Sequence, residues 1–155
     1  MATMKDRAAA FEMSLRLRGK TALVTGAGRR RGLGFAIATR LAAEGAQVVL
    51  SDLAAMTAEL RVGAAELVAH GRKAVAVCAD ITSETEVEAL FAKALDEVGR
   101  LDVLVNNAGV IVTKLVTDTT AAEWQRCVDV MGLGTFLCSK RAVGVMSSQG
   151  AGGYS

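Results

Sequence analysis

Residues 21–34 read Thr21-Ala22-Leu23-Val24-Thr25-Gly26-Ala27-Gly28-Arg29-Arg30-Arg31-Gly32-Leu33-Gly34, and this stretch decides the fold. Its first five residues predict a short buried strand, which runs straight into a glycine-rich turn. Behind the turn, Phe35 to Glu44 predict a helix with Ile37 and Leu41 on one face and Gly45 as its stop. Glycines in such a turn let the backbone bend tightly and approach a pyrophosphate closely. The helix start supplies unpaired N–H groups and the positive end of a dipole. A glycine-rich turn alone is weak evidence, and its place between a strand and a helix strengthens it.

Outward from this unit the alternation continues. Gln47 to Ser51 predict a second strand, and Ala54 to His70 a helix closed by Gly71. Lys73 to Cys78 predict a third strand. Ser83 is expected to cap the next helix, with Glu86 completing a capping box. Val87, Leu90, Phe91, Ala94, Leu95 and Val98 form its buried stripe, and Gly99 ends it. Leu101 to Val105 predict a fourth strand. A last long helix is expected from near Ala121 through Trp124, Val128, Phe136 and Val143, weakened at Gly132, Gly134 and Gly144 by about 1 kcal/mol each relative to Ala. Ser147 to Gly153 are small and polar, which predicts a loop or frayed end. Strands alternating with helices, and strands apolar on both faces, predict an α/β fold around a parallel sheet.

The bulk composition agrees. The chain has 155 residues, 52% hydrophobic and 22% charged, enough for one packed domain and too apolar for disorder. A net charge of +2, without a basic run interleaved with aromatics, argues against nucleic acid. The first 20 residues make a poor signal or transit peptide. No apolar run approaches the roughly 20 residues that span a bilayer, so the expectation is a cytoplasmic protein off the membrane. Cys78, Cys127 and Cys138 are too scattered for a metal site and are read as small buried hydrophobes, so no metal is expected. His70, the one histidine, sits at a helix end, where an imidazole meets the negative end of the dipole; a catalytic role is not expected.

Asp52 follows the second strand, roughly 20 residues past the glycines, where an acid can accept hydrogen bonds from adenosine ribose hydroxyls. With Thr25-Gly26 through Gly32-Leu33-Gly34, Asp80-Ile81 and Asn106-Asn107-Ala108-Gly109, it stands in the order seen in the short-chain dehydrogenase/reductase family. From Leu17 to Gly153 the chain resembles that family's N-terminal part. The resemblance implies a Rossmann-like doubly wound sheet of strand order 3-2-1-4, incomplete at its C-terminal side. Residues 1–16 would be an N-terminal extension and residues 17–155 a truncated NAD(P)-binding domain. It also implies a cofactor site at Gly26, Gly28, Arg31, Gly32, Leu33, Gly34, Asp52, Asp80, Ile81, Asn107, Ala108 and Gly109. The Asp80-like residue contacts adenine in that family, and the Asn-Asn-Ala-Gly turn steadies the sheet beside the cofactor.

Three departures qualify the resemblance. The glycine loop is two residues longer than the common Thr-Gly-x-x-x-Gly-x-Gly form. Arg29 to Arg31 fill it, either meeting cofactor phosphate, including the 2′-phosphate of NADP, or forming a solvated basic loop. Asp52 would repel a 2′-phosphate, so NAD is favoured with NADP open. Second, the family's Asn three residues before a Gly-Thr-Phe run is replaced by Met131, whose thioether cannot do the work of an amide. Third, the family's catalytic Ser and Tyr-x-x-x-Lys are expected beyond the chain's last residues. Tyr154-Ser155 resembles the start of the Tyr motif without its Lys.

The leading reading is therefore an NAD(P)-dependent oxidoreductase, moving hydride between nicotinamide and an unidentified small alcohol or ketone, with this chain itself inactive and no catalytic set complete. The alternative is a non-catalytic dinucleotide-binding or interaction fragment. An uncovered apolar fourth strand also predicts marginal stability, homo-oligomerisation or other self-association through that edge, or a disordered C-terminal region.

Overall fold

A computed structural model describes residues 15–150. Four strands form one parallel sheet: β1 (Thr21–Thr25), β2 (Gln47–Asp52), β3 (Ala74–Cys78) and β4 (Val103–Val105). Their order is β3-β2-β1-β4, as the sequence predicts. Thr21 lies opposite Gln47, and Leu23 opposite both Val49 and Leu104. Among the described residues β3 and β4 form the two margins of the sheet.

Side chains alternate along each strand, so β1 feeds two cores. Leu23 points into one, shared with Val87, Leu90 and Phe91 of α3 (Glu84–Val98) and Leu137 and Cys138 of α5 (Thr135–Ser148). Ala22 and Val24 point into the other, against Phe35 and Ala38 of α1 (Leu33–Ala43) and Leu60 and Leu67 of α2 (Thr57–Ala69). This is the doubly wound arrangement, with helices covering both faces.

Several details differ from the sequence expectation. The buried stripe of α1 is Gly34, Phe35, Ala38 and Ala42, while Ile37 and Leu41 are only half-buried. Small residues at the centre of the stripe let the helix lie close on the strands. Ser83 does cap α3, accepting from the Glu86 N–H, but the capping box does not close. The Glu86 carboxylate accepts instead from the Asp80 N–H at 2.8 Å. A full capping box forms elsewhere, between Thr120 and Glu123 at the start of α4 (Ala121–Val128).

The last helix is not continuous. A π-helical turn, Asp129–Gly134, joins α4 to α5, in the stretch the glycines weaken. Trp124, Phe136 and Val143 are exposed along this unit. Ser147 and Ser148 belong to α5 rather than to a loop. Gln149 then clamps the approach to β4, accepting from the Leu101 N–H at 2.8 Å and donating to the Leu101 carbonyl at 2.7 Å. These two bonds replace fraying with a defined end. Residues 151–155, including Tyr154, and most of the expected N-terminal extension lie outside the described residues. No helix of the described residues is long and apolar enough to cross a membrane.

Candidate dinucleotide site

The carboxyl ends of β1, β2 and β4 meet at the glycine loop. Thr25, the last residue of β1, is buried, and its hydroxyl is a pivot. Its oxygen accepts from the backbone N–H groups of Asn107 and Ala108, both at 3.1 Å. The Asn107 side-chain amide returns two bonds, to the carbonyls of Thr25 (2.9 Å) and Gly26 (3.1 Å). Four bonds thus lock the Asn-Asn-Ala-Gly turn to the end of β1. Asn106 reaches the other way and donates to the Ser139 hydroxyl on α5 at 2.9 Å.

This clamp explains two of the glycines. Gly26 has φ +66°, and a Cβ there would lie 2.7 Å from the Ala108 Cα. A Cβ on Gly34 would lie 2.5 Å from both the Asn107 amide nitrogen and the Gly26 carbonyl oxygen. Both positions lack a side chain because protein backbone is already there, before any ligand is considered.

The loop is also tied to β2. The Ala27 N–H donates to the Ser51 carbonyl at 3.0 Å. The Asp52 carboxylate accepts from the Gly28 N–H at 2.8 Å and from the Leu53 N–H at 2.9 Å. Asp52 is thus held against the glycine loop at the strand's carboxyl end, with lone pairs left to accept from a hydroxyl. Gly32 is the N-cap of α1. It supplies no side-chain cap, and no acid lies in the first turn. The first intrahelical bond is from the Ala36 N–H to the Gly32 carbonyl, so the N–H groups ahead of it have no intrahelical partner. Leu33 beside them is 72% exposed. An open, uncapped helix start with an adjoining carboxylate suits a pyrophosphate and a ribose.

The three arginines of the loop divide. Arg29 and Arg31 are exposed. Arg30 ion-pairs with Glu66 of α2 and lies over the Phe35 ring, 3.8 Å from its centroid. Arg30 packs against protein, a contact that neither sequence alternative anticipated. Asp80 turns its carboxylate onto Thr82, accepting from its N–H at 2.9 Å and its hydroxyl at 2.7 Å. The Ile81 side chain is buried against Gly134, where a Cβ would sit 2.6 Å from its Cδ1. Ile81 therefore serves the core with its side chain. Met131, half-exposed on the π turn, reaches the Asn-Asn-Ala-Gly turn, its sulfur 3.9 Å from where a Gly109 Cβ would be.

The sequence missed three participants: the Thr25 hydroxyl, Glu66, and Phe35 in its role under Arg30. Thr25 was legible as a hydroxyl ending a buried strand. Glu66 lies on α2, far along the chain from the loop that carries Arg30, and no local pattern joins them. His70 ends α2 as expected, its Nδ1 2.8 Å from the Glu66 carbonyl. Cys138 is buried, which pushes its thiol up to about 11, whereas Cys78 and Cys127 are only half-buried.

Comparison with known proteins follows the same outline. Residues 20–153 match the family described as short chain dehydrogenase. A short-chain dehydrogenase/reductase of Armillaria gallica is 48% identical over 135 residues, covering 87% of this chain and 51% of that protein. A short-chain type dehydrogenase/reductase from Mycobacterium marinum superposes with a TM-score of 0.83 at 33% identity, over 91% of this chain and 56% of that one. A blue fluorescent protein from a metagenomic library, solved in complex with NADPH, gives a TM-score of 0.75 at 33% identity, over 83% of this chain and 51% of that one. The chain spans about half the length of the curated relatives it matches.

Proposed function

The chain belongs to the short-chain dehydrogenase family, and from that premise we propose that the glycine loop, α1 and Asp52 bind NAD(H). The observation that carries the reading is the uncapped, acid-free start of α1 beside the Asp52 carboxylate. The N–H groups ahead of Ala36 would take the pyrophosphate. Asp52 would accept from the adenosine ribose hydroxyls, and its charge would disfavour a 2′-phosphate. Asp80 would border the adenine, and Asn107 to Gly109 would flank the cofactor. A nicotinamide cofactor supplies hydride chemistry; the residues here bind and orient it.

The activity to which this frame contributes is hydride transfer between nicotinamide and a carbonyl or secondary alcohol. The polypeptide of 155 residues binds without turnover in this reading, because Met131 puts a thioether where an amide would hold a relay water. Titration with NADH and NADPH by fluorescence or calorimetry, beside a screen of alcohols and ketones, tests both parts. The expected result is saturable binding, tighter for NADH, with no turnover. Tighter binding of NADPH would overturn the Asp52 assignment, and turnover would overturn the inactivity. The second reading, a binding or interaction module, rests on Met131 and gains if Met131→Asn changes nothing in a protein as long as its relatives.

A further inference from the structure

The lengthened glycine loop carries three adjacent arginines, and the middle one behaves unlike its neighbours. Its guanidinium lies over the Phe35 ring, 3.8 Å from the centroid, and Phe35 is itself 6% exposed in the core against α2. The Phe35 ring also meets Gly63 of α2, where a Cβ would come within 2.8 Å of the Phe35 Cε2. Three residues along α2, Glu66 closes the arrangement with its carboxylate on the Arg30 Nη2. Arg30 and α2 thus both contact Phe35, and Arg30 Nη1 is shut off from solvent without a hydrogen-bond partner among the described residues. Nearer the start of the loop, a Cβ on Gly28 would lie 2.9 Å from the Met56 Cβ, just ahead of α2. The loop thus touches the α2 region at both ends of its extra length.

We propose that Arg30 is a positioning residue: through Phe35 and Glu66 it fastens the lengthened loop to α2 and so sets the loop's backbone for the dinucleotide, without reading the phosphate itself. This rests on the dinucleotide reading above. The physical need is plain. Two additional residues multiply the conformations of a loop whose N–H groups must converge on one anion. A planar guanidinium can stack and ion-pair at once, which an ammonium cannot do as well. Arg29 and Arg31 are exposed.

The test uses Arg30→Ala, Arg30→Lys, Glu66→Gln and the double variant Arg30→Ala/Glu66→Gln, titrated with NADH and NADPH. Amide exchange is followed over residues 26–34, and thermal melts are run without nucleotide. A stacked cation and a half-exposed ion pair together predict a loss of about fivefold to tenfold in affinity for Arg30→Ala, equal for the two nucleotides. Glu66→Gln, although on α2 rather than in the loop, should weaken both nucleotides by a smaller common factor, and the double variant should lose less than the product of the two. Arg30→Lys should recover only part. Amide exchange over the loop should quicken while the melting temperature hardly moves. Selective loss of NADPH in Arg30→Ala, or a gain of NADPH affinity in Glu66→Gln, would show a phosphate reader and overturn the proposal. Unchanged affinities would overturn it too. If the parent chain binds neither nucleotide, the dinucleotide reading fails, and exchange in the loop still decides the brace. Faster exchange in both single variants supports it, and unchanged exchange sinks it.

Discussion

The two ends of the parallel sheet are built on opposite plans. At the amino end, Asp102 gathers the Thr21 N–H at 2.9 Å, the Arg100 Nε at 2.9 Å and the Lys20 ammonium at 3.3 Å, while Gln149 satisfies both backbone groups of Leu101. The strong groups there are partnered by other parts of the chain. At the carboxyl end an equally dense clamp, centred on Thr25 and Asn107, surrounds groups left open: the first N–H groups of α1 and a carboxylate with spare lone pairs. Partnered groups on both sides contribute stability. The few unpartnered ones are held at fixed positions by that framework, and they are what a ligand can use.

Breaking the frame at the carboxyl end should cost most. Gly26→Ala adds a Cβ against the Ala108 backbone at a positive φ. It should destabilise the fold by about 3 kcal/mol and abolish nucleotide binding; a denaturant melt and an NADH titration read both, and an unperturbed melt would show that β4 can retreat. Asn107→Ala should follow at about 2 kcal/mol, since the carbonyls of Thr25 and Gly26 each lose a side-chain donor. Its loss of NADH affinity should exceed that of any amino-end variant of equal instability.

Asp102→Asn is the matching break at the amino end. Burial pushes the Asp102 carboxyl up, but hydrogen bonds from Arg100, Thr21 and Lys20 outweigh this and hold it below its usual 3.8. A lowered folded-state value stabilises the fold fully above the unfolded value, and that stabilisation is lost as pH falls through the folded one. The variant should therefore cost about 1 kcal/mol at pH 7, converge with the parent as pH falls through the lowered folded-state value, and leave NADH affinity unchanged. A pH series of urea melts measures this, and a fall in affinity would blur the contrast between the two ends. The smallest effect is expected of Arg29→Ala. Its side chain is exposed, so stability should move by less than about 0.5 kcal/mol.

Much of this architecture is legible in the sequence alone. Periodicity located all four strands and the three helices between them, because apolar runs and helices ended by glycine leave strong local signatures, but it read as one helix what the π turn Asp129–Gly134 divides in two. Errors fell where two distant groups compete for one partner. Glu86 could cap its own helix or reach the Asp80 N–H, and it takes the latter. Ser147 and Ser148 looked like a loose tail, yet the Gln149 contact with Leu101, 48 residues away, keeps the helix ordered up to that point. Arg30 read as a phosphate ligand or a solvated cation, and neither reading anticipated its contacts with Phe35 and Glu66.

The sequence alone determined the alternation of strand and helix, the strand order implied by its family resemblance, and the glycine loop between a buried strand and a helix start. These follow from hydrophobic period and glycine placement, both local properties. The tertiary structure alone decided which glycines answer to backbone rather than to ligand, that Thr25 and Asn107 bind the ends of β1 and β4 together, and which loop arginine faces protein. Such choices depend on which groups separated by tens of residues arrive at the same point in space, and only the packed sheet and its helices specify that.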